Sequence, residues 1–207
     1  MRTGKCEVVS ILAIIALWAC GFMNAYSQER VRAKIGILIR SGDKMIRAKS
    51  RDTLSTGDFI RIYVYPEGAN SYLYVIHADG KSASLLNMTQ QRIQSSTLVL
   101  PSLREFYQPD GQSPVETFTI ICSPTEVKEL SNLLGGEIPY EKWAPIEKNL
   151  LQQGTIDLGQ KTEKPFAIAG NVRSTGDALA GDPFAAELQI FSGNAILVKQ
   201  YEFRVKK

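Results

Sequence analysis

The chain has 207 residues, of which 44% are hydrophobic and 22% charged, with a formal net charge of +3. These are the proportions of an ordinary globular chain, long enough for one domain or a domain with an extension. So small a charge argues against a nucleic-acid partner, which calls for a strongly basic face.

The first residues read as an export leader. Arg2 and Lys5 form a positive start, 8–19 is apolar apart from Ser10, and Ala25-Tyr26-Ser27 is a small-x-small cleavage site. The mature chain is then expected to start near Gln28. The apolar run is shorter than the roughly 20 residues a membrane span needs, so no transmembrane span is expected in the mature chain. Leu17-Trp18-Ala19-Cys20 offers an alternative, a lipoprotein acylated at Cys20. After cleavage only Cys122 remains, and one cysteine makes no internal disulfide. The fold must therefore rest on its hydrophobic core.

Residues 31–40 read as a strand with Ile35, Ile37 and Ile39 on one face, and 45–49 as its returning partner after a Ser41-Gly42-Asp43 turn. Residues 57–86 read as three consecutive strands. The first, 59–65, is dense in β-branched and aromatic residues. Pro66 to Asn70 has turn chemistry, and 72–77 is the second strand. Ala78-Asp79-Gly80 turns the chain into the third, 81–86. The middle strand is apolar on both faces, with Tyr72, Tyr74 and Ile76 on one and Leu73 and Val75 on the other. Strands buried on both sides read this way, so it is expected at the centre of a sheet.

Residues 89–96 read as loop, 97–100 as a short strand, 104–114 as loop and 117–122 as another strand. The character then changes. Ser123-Pro124 followed by Glu126 resembles a helix start, and Val127, Leu130, Leu133 and Leu134 suggest a helix ended by Gly135-Gly136. A second helix is expected over 141–153, with Trp143, Ile146, Leu150 and Leu151 as its stripe and Pro145 tolerated in its first turns. Residues 165–172 read as a strand and 174–183 as a loop. Residues 185–191 and 195–205 read as a hairpin about Ser192-Gly193-Asn194. In its second arm Tyr201, Phe203 and Val205 alternate with charged residues.

The central stretch carries a family likeness. Leu54-x-x-Gly57-Asp58, the alternation Ile60, Ile62 and Val64, Tyr72-Leu73-Tyr74-Val75-Ile76, Asp79-Gly80 and Leu85-Leu86-Asn87 resemble the bacterial family known as domain of unknown function 4384. Pro109-Asp110-Gly111, Glu116 and 118–124 continue the likeness, which spans Val31 to Pro124. Unlike many members, this chain has Met88 after Asn87 and no Pro-Asn there. The resemblance implies an extracytoplasmic β domain. It brings no catalytic residues.

Sites of chemistry are sparse. The one histidine, His77, and Cys122 are an arithmetically possible thiol–imidazole pair. Phe118, Ile120 and Cys122 share a face by period two, so Cys122 is expected to be a buried structural residue. Asp110 and Glu116 form a carboxylate pair of the kind a glycosidase uses. Asp177 and Asp182 lack the regular spacing of a calcium loop, so no metal and no cofactor is expected. Tyr63, Tyr65, Tyr72, Tyr74 and Tyr107 are candidates for a stacking platform for sugar or peptide, weighed against packing in the core.

Together these features predict a mainly β (α+β) chain: an antiparallel β-sandwich with two helices before a C-terminal β-hairpin. Residues 1–27 form the leader, 28–124 the β domain and 125–207 an α+β extension packing on the same sheet. The function expected is that of a non-enzymatic periplasmic or extracellular module binding protein or cell-envelope material. The alternatives are an envelope hydrolase using Cys122 or a carboxylate pair, and a structural accessory subunit.

Overall fold

A computed structural model describes residues 30–67, 71–87, 97–154 and 182–207. The expected leader, the 89–96 loop, the 165–172 strand, Cys20 and Asp177 lie outside the described residues. In chain order the strands are β1 (Val31–Ser41), β2 (Lys44–Arg47), β3 (Thr53–Ser55), β4 (Phe59–Glu67), β5 (Tyr72–Ala78), β6 (Ser82–Leu85), β7 (Leu98–Leu100) and β8 (Val115–Ser123). A 3-10 helix (Lys128–Gly135), β9 (Ile138–Pro139) and the α-helix α1 (Tyr140–Gln153) follow. A second 3-10 turn (Pro183–Glu187) leads into β10 (Gln189–Gly193) and β11 (Leu197–Lys206).

The strands form two sheets. One is five-stranded, in the order β10-β1-β4-β7, with β2 also paired to β1. The other is six-stranded, in the order β3-β11-β8-β5-β6-β9. All pairs are antiparallel except β3 with β11. Ile35, Ile37, Ile60 and Ile62 of the first sheet share one buried cluster with Leu73, Val75, Ile120 and Phe203 of the second. The other face of the second sheet carries Tyr74, Ile76, Ile121 and Val198. They pack against Leu130, Trp143 and Leu150.

β5 illustrates how sequence sets position. It lies between β8 and β6, and its alternate side chains enter the two clusters on opposite faces. Beyond the end of the β6 ladder, the buried Asn87 side chain stands in for a neighbouring strand. Its Oδ1 accepts from Val75 N–H at 2.8 Å and its Nδ2 donates to Leu73 C=O at 2.7 Å. Asn87→Ala leaves two buried main-chain groups unpaired. The expected loss is about 2–4 kcal/mol in urea unfolding; a loss of a few tenths would mean that water replaces the amide.

Two expectations are corrected. Among the described residues there is one α-helix, not two. Lys128–Gly135 is a 3-10 helix, begun at Val127 without a side-chain cap. Val127, Leu130 and Leu133, all buried, recur every three residues, which is the 3-10 period. Ser123 belongs to β8 and its hydroxyl accepts from Thr125 N–H, while the Tyr74 hydroxyl accepts from Val127 N–H.

The C-terminal hairpin does not form either. β10 pairs with β1, whereas β11 pairs with β8 and β3, so the chain crosses between sheets after Gly193. The crossing is tight: a Cβ at Gly193 would collide with the Ile196 carbonyl. Strands from residues beyond 125 are thus hydrogen-bonded into both sheets. β4 and β5, consecutive in sequence, likewise lie in different sheets.

Candidate functional site

β5 and β8 bring the first candidate together. His77 stands opposite Phe118 in their ladder, and Glu116 is its diagonal neighbour on the same face. The His77 Nε2 and Glu116 Oε2 atoms share a hydrogen bond. The carboxylate is the more enclosed partner, with 7% of its side chain exposed against 31% for the imidazole, so a ligand would meet the ring first. The ring also lies over Phe118, 5.0 Å between centroids.

This pair borders a cavity of about 160 Å³ at the end of the shared core. Leu54, Ile60, Leu86 and Phe118 form its apolar floor, and Tyr107, Gln108 and Pro109 a wall. The wall is pinned by reciprocal main-chain hydrogen bonds between Ile60 and Tyr107, at 2.8 and 2.9 Å. Asp79 and Asp110 complete the rim. Burial pushes the Asp79 carboxyl up, but the N–H groups of Ser82 and Lys81, the Ser82 hydroxyl and the nearby His77 together hold it below its usual value. Asp79 therefore contributes stability above the ordinary Asp range and loses it as the pH falls through the folded value.

A cavity this size is well below the roughly 300–1,000 Å³ of a drug-sized site. It suits a few waters or one small polar group. Among the described residues no Ser, Thr or Cys lines it, and the Tyr107 phenol is the hydroxyl on its wall. A larger hollow of about 390 Å³ lies over Ser50, Val198 and Lys199. Gly154 also lines it, and Lys199 Nζ there donates to the Ser50 hydroxyl at 2.7 Å.

The pairings read from the sequence are rearranged. His77 is joined to Glu116 and not to Cys122. Cys122 faces Leu73 on β5, four residues along the strand and so about 13 Å away. Cys122 is fully buried, and burial pushes its thiol up to about 12. Labelling by a thiol reagent at neutral pH is expected to be slow and to accelerate only on denaturation. Fast labelling of the native protein would refute the buried placement. Asp110 and Glu116 do line one cavity, with Glu116 already bonded to the imidazole.

The five tyrosines do not share one surface. Tyr63 is buried on the outer face of the five-stranded sheet, where its hydroxyl donates to Asp182 at 2.8 Å. Tyr65 lies under the Lys34 ammonium at 5.6 Å. Tyr74 and Tyr72 belong to the cluster beneath α1, and Tyr107 lines the cavity. Burial raises the hydroxyls of Tyr63, Tyr74 and Tyr107 above the usual value. Among the described residues no three His, Cys, Asp or Glu side chains converge as a metal site, and Asp182 is engaged with Tyr63 and Phe184 N–H.

Sequence reasoning missed a second candidate, on the five-stranded sheet. β10 and β2 lie end to end along the same side of β1, opposite β4. Three of the five exposed large apolar side chains among the described residues lie along this edge: Met45 at 61%, Ile46 at 53% and Ile190 at 48%. Only the charges of 44–47 and the mixed polarity of 189–193 hinted at an edge. Among the described residues no helix is long and apolar enough to cross a membrane. Compared with known proteins, the chain matches no family model, no curated protein and no solved structure.

Proposed function

We propose that this chain is a non-enzymatic interaction module of the bacterial cell envelope, a β-sandwich that is exported and binds a protein partner. The observation that carries this reading is the exposure of Met45, Ile46 and Ile190 along the open edge that β2 and β10 form on the five-stranded sheet. An open sheet edge that also bears exposed apolar side chains offers unpaired main-chain groups and apolar area together, as a contact surface does. The resemblance to domain of unknown function 4384 and the leader-like first residues support export. The small His77 cavity is secondary, a place for one polar group of a ligand.

The test is a pull-down from envelope extract with the tagged mature protein and with Met45→Ser/Ile190→Ser. A partner identified by mass spectrometry and lost in the double variant is the expected result. Equal capture by both proteins would move the contact elsewhere, and turnover of an envelope polymer by the purified chain would replace the reading with the hydrolase alternative.

A further inference from the structure

Resting on the interaction-module reading, we infer that the β2–β10 edge takes up an extended, acidic segment of a partner protein by strand addition. The main chain supplies the first argument. Ala48 donates its N–H to Ile37 C=O at 2.7 Å. Main-chain groups alternate sides along an antiparallel strand, so Lys44 and Ile46 also turn theirs toward β1, while Met45 and Arg47 turn theirs outward. The β1–β4 ladder is unbroken from Arg32 to Arg40, which carries the same alternation along β1 to β10. There Gln189 and Phe191 face β1, and Ile190 and Ser192 face outward. β2 and β10 pair only with β1, so among the described residues these outward groups meet no strand; Ser192 is buried, and the open groups are those of Met45, Arg47 and Ile190. Arg47 Nη1 donates to Glu187 C=O at 2.9 Å and joins the two pieces.

The side chains supply the second argument. Met45 stands opposite Arg40, Arg47 opposite Leu38, Ile190 opposite Lys34 and Ser192 opposite Arg32. Cross-strand partners share a face, so the residues with outward main-chain groups also line the outer face of the sheet. That face is basic. Arg32 and Lys34 share Glu67, at 3.2 and 3.8 Å. Arg40 has no carboxylate partner among the described residues. Its guanidinium is held over Phe59 at 4.5 Å and Phe106 at 4.2 Å, and stacking of this kind leaves the N–H edges free for an acceptor. An added strand places every second side chain on this face. Apolar residues suit Met45 and Ile190, and a carboxylate suits Arg47 with Arg40 behind it. A second copy of this chain would bring the same basic row to a two-fold contact, setting like charges together.

The probes are peptides of about ten residues, the upper range of natural strands: alternating Glu and Val, alternating Lys and Val, and the Glu–Val peptide N-methylated on one edge. Binding to the full chain is read by fluorescence anisotropy at low salt. The Glu–Val peptide is expected to bind at least about tenfold more tightly than the Lys–Val peptide, and N-methylation to abolish binding. Met45→Pro removes an outward N–H that no strand of the protein uses. Proline is tolerated at such an edge, so this variant should keep its circular dichroism and lose the peptide. Arg47→Glu, which leaves the ladder intact, should reverse the preference between the two peptides and serves if Met45→Pro fails to fold. Equal affinity for both peptides, or unchanged binding after N-methylation, would overturn strand addition. So would a dimer in sedimentation that Met45→Pro dissociates, since a second copy would then be the occupant. Capture of an envelope partner that depends on Met45 and Ile190, without any peptide binding, would end this inference and leave the broader reading in place. Neither capture nor peptide binding would end both.

Discussion

Val75→Asp is expected to abolish folding. Val75 is fully buried, on a strand flanked on both sides, and faces Ile120 in the ladder. Its side chain enters the cluster shared by the two sheets, which among the described residues is built of apolar side chains and holds no Lys or Arg. The substituted side chain must be buried charged or take up a proton at a strongly raised pKa, and either route costs several kcal/mol. A domain of this kind holds only about 5–15 kcal/mol in total. Val75→Ala, which removes volume alone, should cost about 2 kcal/mol and remain folded. Circular dichroism and thermal melts of the two variants check this. A Val75→Asp protein melting within about two degrees of wild type would show that β5 is not the centre of the sheet.

The second large effect is expected at Trp143, which is fully buried and is among the largest side chains so enclosed. α1 buries only Trp143, Glu147 and Leu150, so the indole supplies much of the apolar contact that docks the helix. Trp143→Ala should cost about 3–5 kcal/mol. The polar anchor, Glu147 accepting from Thr119 Oγ1 at 2.7 Å and Gln200 Nε2 at 3.0 Å, would remain. Trp143→Phe should cost much less, because the indole Nε1 is buried and meets no acceptor. Denaturant unfolding of both variants, beside the exposed control Lys148→Ala, gives the comparison. If Trp143→Ala matched the control, the helix would not depend on the indole.

Both of these sites were legible in the sequence. Both apolar faces of β5 and the Trp143 stripe of α1 stand in the sequence as local periods. The His77–Glu116 pair does not, because each residue lies at a strand end with many possible partners. It exists only because β5 and β8 are neighbours in one register. The outer edge was harder still. Met45 and Ile190 look like core residues in a linear reading, and they become surface only when β2 and β10 take places with no further strand beyond them among the described residues.

The chain by itself located the longer described strands and the α-helix, though not β3 or β9, and it showed that both faces of β5 are buried and that Cys122 points inward. Side-chain alternation along a strand and the stripe along a helix depend on near neighbours, and near neighbours are written in order. Tertiary structure alone decided that β10 and β11 part into different sheets and that Lys128–Gly135 winds as 3-10. It also set His77 beside Glu116 and left Met45, Ile46 and Ile190 in the open. Each of these outcomes turns on which distant surface is free to pack or pair. A hydrophobic pattern says that a face must be covered, and only the assembled core says by what.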